Sequence, residues 1–273
     1  MTAPRPKKSK VPGPWSLMRE SARELIHHWK RYSFIISIVA VPVSLLGLSA
    51  IISADNSVNV YSFAAIVVMN VALVWAIVKG ARTGVLPKAR AAYYEGSAAL
   101  VRFVIVSFLM FFVMMIPAAL GAAIYTASLI STGATPSSSG EEAIILAFCI
   151  AISLFSVWLL VRFGLGLVIT VDTDLRPISA LRYARMLTLG RFWPMVWRYL
   201  GWIVMILLAA VIPTLMSVLL GFLKLTLVAE FLFPLLSSIL ILPLANIYLF
   251  KLYASLEPPR QVKAKALEEE ATE

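Results

Sequence analysis

Residues 161–213 read VRFGLGLVITVDTDLRPISALRYARMLTLGRFWPMVWRYLGWIVMILLAAVIP. One apolar run ends in this stretch and another begins in it. Between them lies a short basic segment dense in Arg and aromatic residues. A chain that leaves a bilayer, lies along its surface and re-enters has this pattern: apolar span, basic and aromatic interface, apolar span.

The rest of the chain repeats the theme. It has 273 residues, 60% of them hydrophobic and only 14% charged, which is too little charge for a soluble domain of this length. One crossing needs about 20 apolar residues. Uncharged runs of that order lie at 33–54, 56–78, 103–140, 143–161, 199–223 and 231–250. The expected fold is therefore all-α, a polytopic bundle of six transmembrane helices with interfacial amphipathic helices. Spans are expected at about 33–53, 61–78, 103–130, 143–170, 199–220 and 231–253. A basic tail (1–14) precedes the membrane domain (15–256) and a charged tail (257–273) follows it. The first apolar run starts late and is long enough to span, so no cleavable leader is expected.

Charge placement sets the orientation. Six spans with the N-terminus inside leave outer loops at roughly 55–60, 131–142 and 222–230, and of 24 Lys and Arg only Lys224 falls in them. The positive-inside rule then gives N-in and C-in, in the cytoplasmic (plasma) membrane. The net charge of +10 points to anionic lipid headgroups rather than nucleic acid, because the basic residues interleave with Trp and Tyr beside apolar spans.

Three surface segments carry the polar chemistry. Trp15–Tyr32 reads as an amphipathic helix at the interface, with Met18, Ala22, Leu25, Trp29 and Tyr32 on one stripe. Residues 79–99 form a loop broken by Gly80, Gly84 and Pro87, then a short helix with Tyr93 and Tyr94. In the central loop, Asp172, Thr173 and Asp174 precede Pro177 and can cap the helix that starts there; Gly190 is its natural stop. Arg182, Arg185, Arg191 and Arg198 are candidate headgroup contacts. So is Arg162, which lies inside the fourth span and either snorkels or pairs with Asp172 or Asp174. Trp15, Trp29, Trp193, Trp197 and Trp202, with Tyr199, are the expected interfacial aromatics.

Within the spans, Asn70 and Asn246 each need an interhelical hydrogen bond. Pro42, Pro117, Pro213, Pro234 and Pro243 mark kinks, and Ala118/Ala122 and Ala119/Ala123 have small-residue spacing that permits close helix contact or a homo-oligomer. Three times a basic–aromatic pair (Arg31-Tyr32, Arg102-Phe103, Arg198-Tyr199) leads into a Pro-bearing span, the mark of a weak threefold repeat.

Catalytic and metal sites are not expected. The two histidines, His27 and His28, are adjacent and point about 100° apart on a helix. Cys149 is the lone cysteine, which leaves no disulfide or thiolate cluster within the chain. No HExxH motif or Ser-His arrangement is present, and no cofactor is implied. The expected function is non-enzymatic: a lipid-interacting or scaffolding protein at the cytoplasmic leaflet. The alternative is a transporter, or a substrate-binding subunit of a membrane complex, with Asn70, Asn246 and Arg162 meeting in a cavity.

The stretches VRFGLGLVITVD, PISALRYARMLTLGRFW and PLANIYLFKLYASL resemble the six-span membrane domain of the glycerophosphodiester phosphodiesterase membrane-domain family, over roughly residues 15–256. The resemblance is to the stand-alone form. It implies a six-helix integral domain and no assigned activity, since the His-Arg-Gly start and acidic metal ligands of the phosphodiesterase barrel have no counterpart here.

Overall fold

The computed structural model of the chain describes residues 12–53, 58–112, 154–173 and 175–257, with isolated positions 119, 147 and 151. Among them the protein is helical apart from short connections, without a strand. In chain order the helices are α1 (Pro14–Ser53), α2 (Val58–Thr83), α3 (Ala89–Phe112), α4 (Leu154–Asp172), α5 (Pro177–Thr188), α6 (Phe192–Phe222) and α7 (Thr226–Leu256). All but α5 are long and apolar enough to cross a membrane. The end of the third expected span, the start of the fourth, the outer loop 131–142, Pro117, the alanine pairs at 118–123, Cys149, Asp174 and most of both tails lie outside the described residues.

Helix α2 is the centre. Met69, Val71, Ala72, Leu73, Val74, Ala76, Ile77 and Val78 are all buried, which covers every helical angle. A helix apolar all round belongs inside a bundle, and α1, α3, α4 and α7 surround it. Helix α6 is the opposite case. Leu200, Ile203, Leu207, Leu208, Val211 and Leu215 are all exposed. An outward apolar face of this extent belongs against lipid tails.

The expected interfacial helix and first span follow each other directly, separated by a kink rather than a loop. α1 spans 40 residues as two helical pieces joined at a kink at His28, the one internal residue outside helical dihedrals (φ −110°, ψ 16°); Pro42 lies beyond the kink. Part of its N-terminal stripe packs on protein, while Trp29 stays exposed. Leu17, Ser21, Leu25 and Tyr32 are buried, with Met18 and Ala22 packed beside them, against the last turns of α7. Lys251 of α7 reaches Glu24 of α1 at 2.8 Å, joining the end of α7 to the first half of α1. An amphipathic stripe has the same sequence signature whether it meets lipid or protein, and here Leu25 and Tyr32 meet protein.

Loops are tighter than expected. α2 continues through Gly80 to Thr83 and ends at Gly84, whose φ of +73° only glycine adopts without strain. Gly80 breaks nothing; it makes room for Leu86, whose Cδ2 would lie 2.9 Å from an added Cβ. The short helix at 89–96 joins the third span through a 3-10 turn at Ser97–Ala99. The α6–α7 hairpin closes in Leu223–Leu225, with Lys224 at φ 59° and Glu230 already inside α7. Gly190, also at φ +73°, follows α5 as its spacing predicts.

The FGLG of the opening stretch bends α4. Helix geometry lapses at 164–165 and resumes at Gly166. A Cβ on Gly164 would lie 2.6 Å from both the Leu160 carbonyl oxygen and Tyr199 Oη, and one on Gly166 would lie 2.8 Å from Leu181 Cδ2. The two glycines let α4 close on α6 and α5. The aromatics of the threefold motif, Tyr32, Phe103 and Tyr199, are all buried. Only the first two sit on helices continuous with their surface segment, because α5 and α6 are separate.

Candidate functional site

One end of the bundle gathers the start of α1, the end of α2, the start of α3, the ends of α4 and α7, and α5. At its heart is Asp172, whose side chain is 1% exposed. Arg82 Nε of α2 donates to Asp172 Oδ1 at 2.7 Å and Nη2 donates to Oδ2, a two-pronged pair. Tyr253 Oη of α7 donates to the same carboxylate at 2.7 Å, and Arg82 Nη2 also reaches Glu257 at 3.1 Å. The cluster ties α2, α4 and α7 together.

Asp172 is therefore not a helix cap. The residue before α5 is Arg176, with no side-chain cap bond, and Thr173 Oγ1 donates back to the Ile169 carbonyl. A carboxylate at the end of a buried span has a stronger claim on a guanidinium than on backbone N–H groups one turn away. Over the cluster sits Tyr183 of α5, its hydroxyl buried and without a hydrogen-bond partner among the described residues. Burial first, then the carboxylates of Glu257 and Asp172, push it up to about 12.

The candidate headgroup residues divide. Arg182 and Arg185 are exposed on α5, on the same face as Ile178, Met186 and Leu189, while Ala180, Tyr183, Ala184 and Thr188 face inward. The mixed basic and apolar stripe expected of an interfacial helix is present on α5, and α1 also turns Trp15, Arg19, Arg23, Ile26 and Lys30 outward. Trp193 and Trp197 continue it, 70% and 63% exposed. Trp15 and Trp29 are exposed as well, and Arg191 is half-buried.

Arg198 and Trp202 depart from expectation. Arg198 is buried, donating from Nε to the Pro12 carbonyl at 2.9 Å and from Nη1 to the Pro194 carbonyl at 2.7 Å. It ties the start of α6 to the chain ahead of α1. Trp202 is half-buried and donates to the Ala245 carbonyl at 3.2 Å. Both sit on the inward face of α6, beside Tyr248 Oη, which donates to the Arg198 carbonyl at 2.7 Å.

Arg162 is half-buried and lies over the Trp158 ring, 5.2 Å from its centroid. Asp172, one of the two carboxylates open to it as an alternative to snorkelling, is held by Arg82 and Tyr253. Asn70 and Asn246 do meet: Asn246 Nδ2 donates to Asn70 Oδ1 at 2.7 Å. Among the described residues no group of three metal-ligating side chains converges.

Sequence reasoning missed Arg82, Tyr183, Tyr253 and Glu257. The usable signal was Asp172 itself, a carboxylate at the end of an apolar helix, where a charge needs a partner from another span.

Fold and site together define an α-helical membrane protein that crosses the bilayer several times, with an ion cluster locking the basic end of its bundle. Comparison with family models, with curated proteins and with solved structures finds no match.

Proposed function

We propose that this is a non-enzymatic protein of the plasma membrane that engages anionic lipid headgroups with its basic, cytoplasm-facing end. The observation that carries the reading is the outward stripe of α5, where Arg182 and Arg185 stand among exposed Ile178, Met186 and Leu189, next to exposed Trp193 and Trp197. Apolar side chains that enter the headgroup boundary beside cations that stay at phosphate level are what an anionic leaflet selects. Kinship with the six-span domain named above is part of the proposal and rests on the quoted stretches alone.

Each Lys or Arg near an anionic surface contributes about 1 kcal/mol, so Arg182 and Arg185 together contribute about 2 kcal/mol, roughly a thirtyfold preference. The test is the lipid that accompanies the protein out of membranes of mixed phosphatidylcholine and phosphatidylglycerol. Wild type is expected to enrich phosphatidylglycerol, and R182Q/R185Q to lose most of that enrichment, as high salt does. Equal recovery of both lipids with wild type would end the reading. A transport function gains little here, because Asn70 and Asn246 satisfy each other and leave Arg162 on Trp158.

A further inference from the structure

A second basic feature lies away from α5. Between α1 and the segment at 84–90 runs a groove of about 840 Å³. Phe34, Leu86 and their neighbours give it an apolar floor, and Lys30, Lys88 and Arg90 stand at its rim.

The groove is built rather than incidental. Arg31 Nη1 donates to the Leu86 carbonyl at 2.8 Å, pinning the loop to α1. Tyr93 Oη donates to the Ile35 carbonyl at 2.7 Å, pinning α3 to the same helix. Gly80 admits the Leu86 side chain from behind, and Gly84 turns the chain into the groove wall. Arg31 is thereby committed to the scaffold. Lys30, Lys88 and Arg90 are exposed and have no carboxylate within 4.0 Å among the described residues.

We propose that this groove binds a phosphate-bearing anionic lipid, its headgroup held by Lys30, Lys88 and Arg90 and its first acyl segment laid on Phe34. The inference rests on the lipid reading above and gives it a defined site. The occupant follows from the chemistry of the walls. A free phosphate would leave the apolar floor to water, and an uncharged lipid would forgo the attraction of three neighbouring cations. Only a molecule anionic at one end and apolar at the other satisfies both. The exit is apolar too: Phe34 is 63% exposed, and Ile38, one turn further into the span, is also turned outward.

The test is native mass spectrometry of the full chain released from nanodiscs of phosphatidylcholine and phosphatidylglycerol, reading the first bound lipid. Wild type is expected to retain one phosphatidylglycerol. K30Q/K88Q/R90Q should weaken that first step at least tenfold with an unchanged melting temperature, since the three side chains are exposed. K30R/K88R/R90K should restore it, and F34A should weaken it without touching charge. A triple Gln variant that retains the lipid like wild type would overturn the groove. If R182Q/R185Q alone then loses it, the general lipid reading survives and the site lies on α5. Wild type that holds both lipids equally would overturn both. Displacement of the lipid by millimolar glycerol 3-phosphate would replace the lipid assignment with a soluble phosphate site.

Discussion

Asn246 on α7 donates to Asn70 on α2 at 2.7 Å. The two amides are half-buried and face each other within apolar helices, which offer few other partners. Such pairs are worth about 0.6 kcal/mol on average and at most about 1.7 kcal/mol, because the unfolded chain in lipid also finds partners. Replacing either Asn by Leu strands the other amide, and should cost about 1–2 kcal/mol. The double variant N70L/N246L should be more stable than the sum of the single losses predicts. Unfolding in detergent, run as a double-mutant cycle, measures the coupling; strict additivity would show that the pair contributes nothing as a pair.

Removing Arg82 leaves the Asp172 carboxylate buried with Tyr253 among its remaining donors. Breaking a buried ion pair this way costs about 3–5 kcal/mol, and the solvent reaching Arg82 brings the expectation for R82Q down to about 2–4 kcal/mol. Y253F removes one hydrogen bond to a charged group and should cost less, about 1.5–3 kcal/mol. R82K should fall between R82Q and wild type, since an ammonium cannot reproduce the two-pronged geometry. A melting series on the three variants gives the order; Y253F as the most damaging of them would contradict it.

Tyr183 should resist ionisation. Its folded value of about 12 lies above the ordinary 10.0, so folding favours the neutral phenol. The associated stability is fully present below pH 10 and is lost as pH rises through about 12. A 295 nm absorbance titration of wild type minus Y183F should place one tyrosine with a midpoint near 12. A difference titration centred on the ordinary tyrosine value would place this hydroxyl in water.

Two glycine-to-alanine changes should diverge. At Gly164 the new methyl would meet the Leu160 carbonyl and Tyr199 Oη at 2.6 Å, and backbone cannot step aside cheaply. G164A should cost about 1–3 kcal/mol, as overpacking does. At Gly80 the nearest atom is the end of the Leu86 side chain at 2.9 Å, which can turn away. G80A should be nearly neutral in the same melting assay. Equal losses at both sites would refute the bend described for α4.

Orientation is open to labelling. With Cys149 changed to Ser, a cysteine introduced by Lys224→Cys should react with a membrane-impermeant maleimide in whole cells. One introduced by Arg182→Cys should react only after the membrane is opened. The reverse pattern would invert the proposed topology.

The apolar runs and the near absence of Lys and Arg from alternate loops made six crossings legible in the chain, because a bilayer demands about 20 apolar residues wherever it is crossed. Gly190 and Pro177 marked the ends of α5 correctly, since each acts through its own backbone. Asn70 and Asn246 announced that they needed partners. What the sequence left open was who meets whom. Leu25 and Tyr32 belong to a stripe that suits lipid as well as protein, and only the approach of α7 buried them against protein. Asp172 could cap a helix or pair with Arg162 by proximity in sequence, yet Arg82, 90 residues away, holds it. Arg198 carries the charge of a headgroup contact and faces inward. Periodicity and composition are local properties and fix crossings and turns. The facing of each stripe and the partner of each charge depend on helices distant in sequence, and are decided only when the bundle closes.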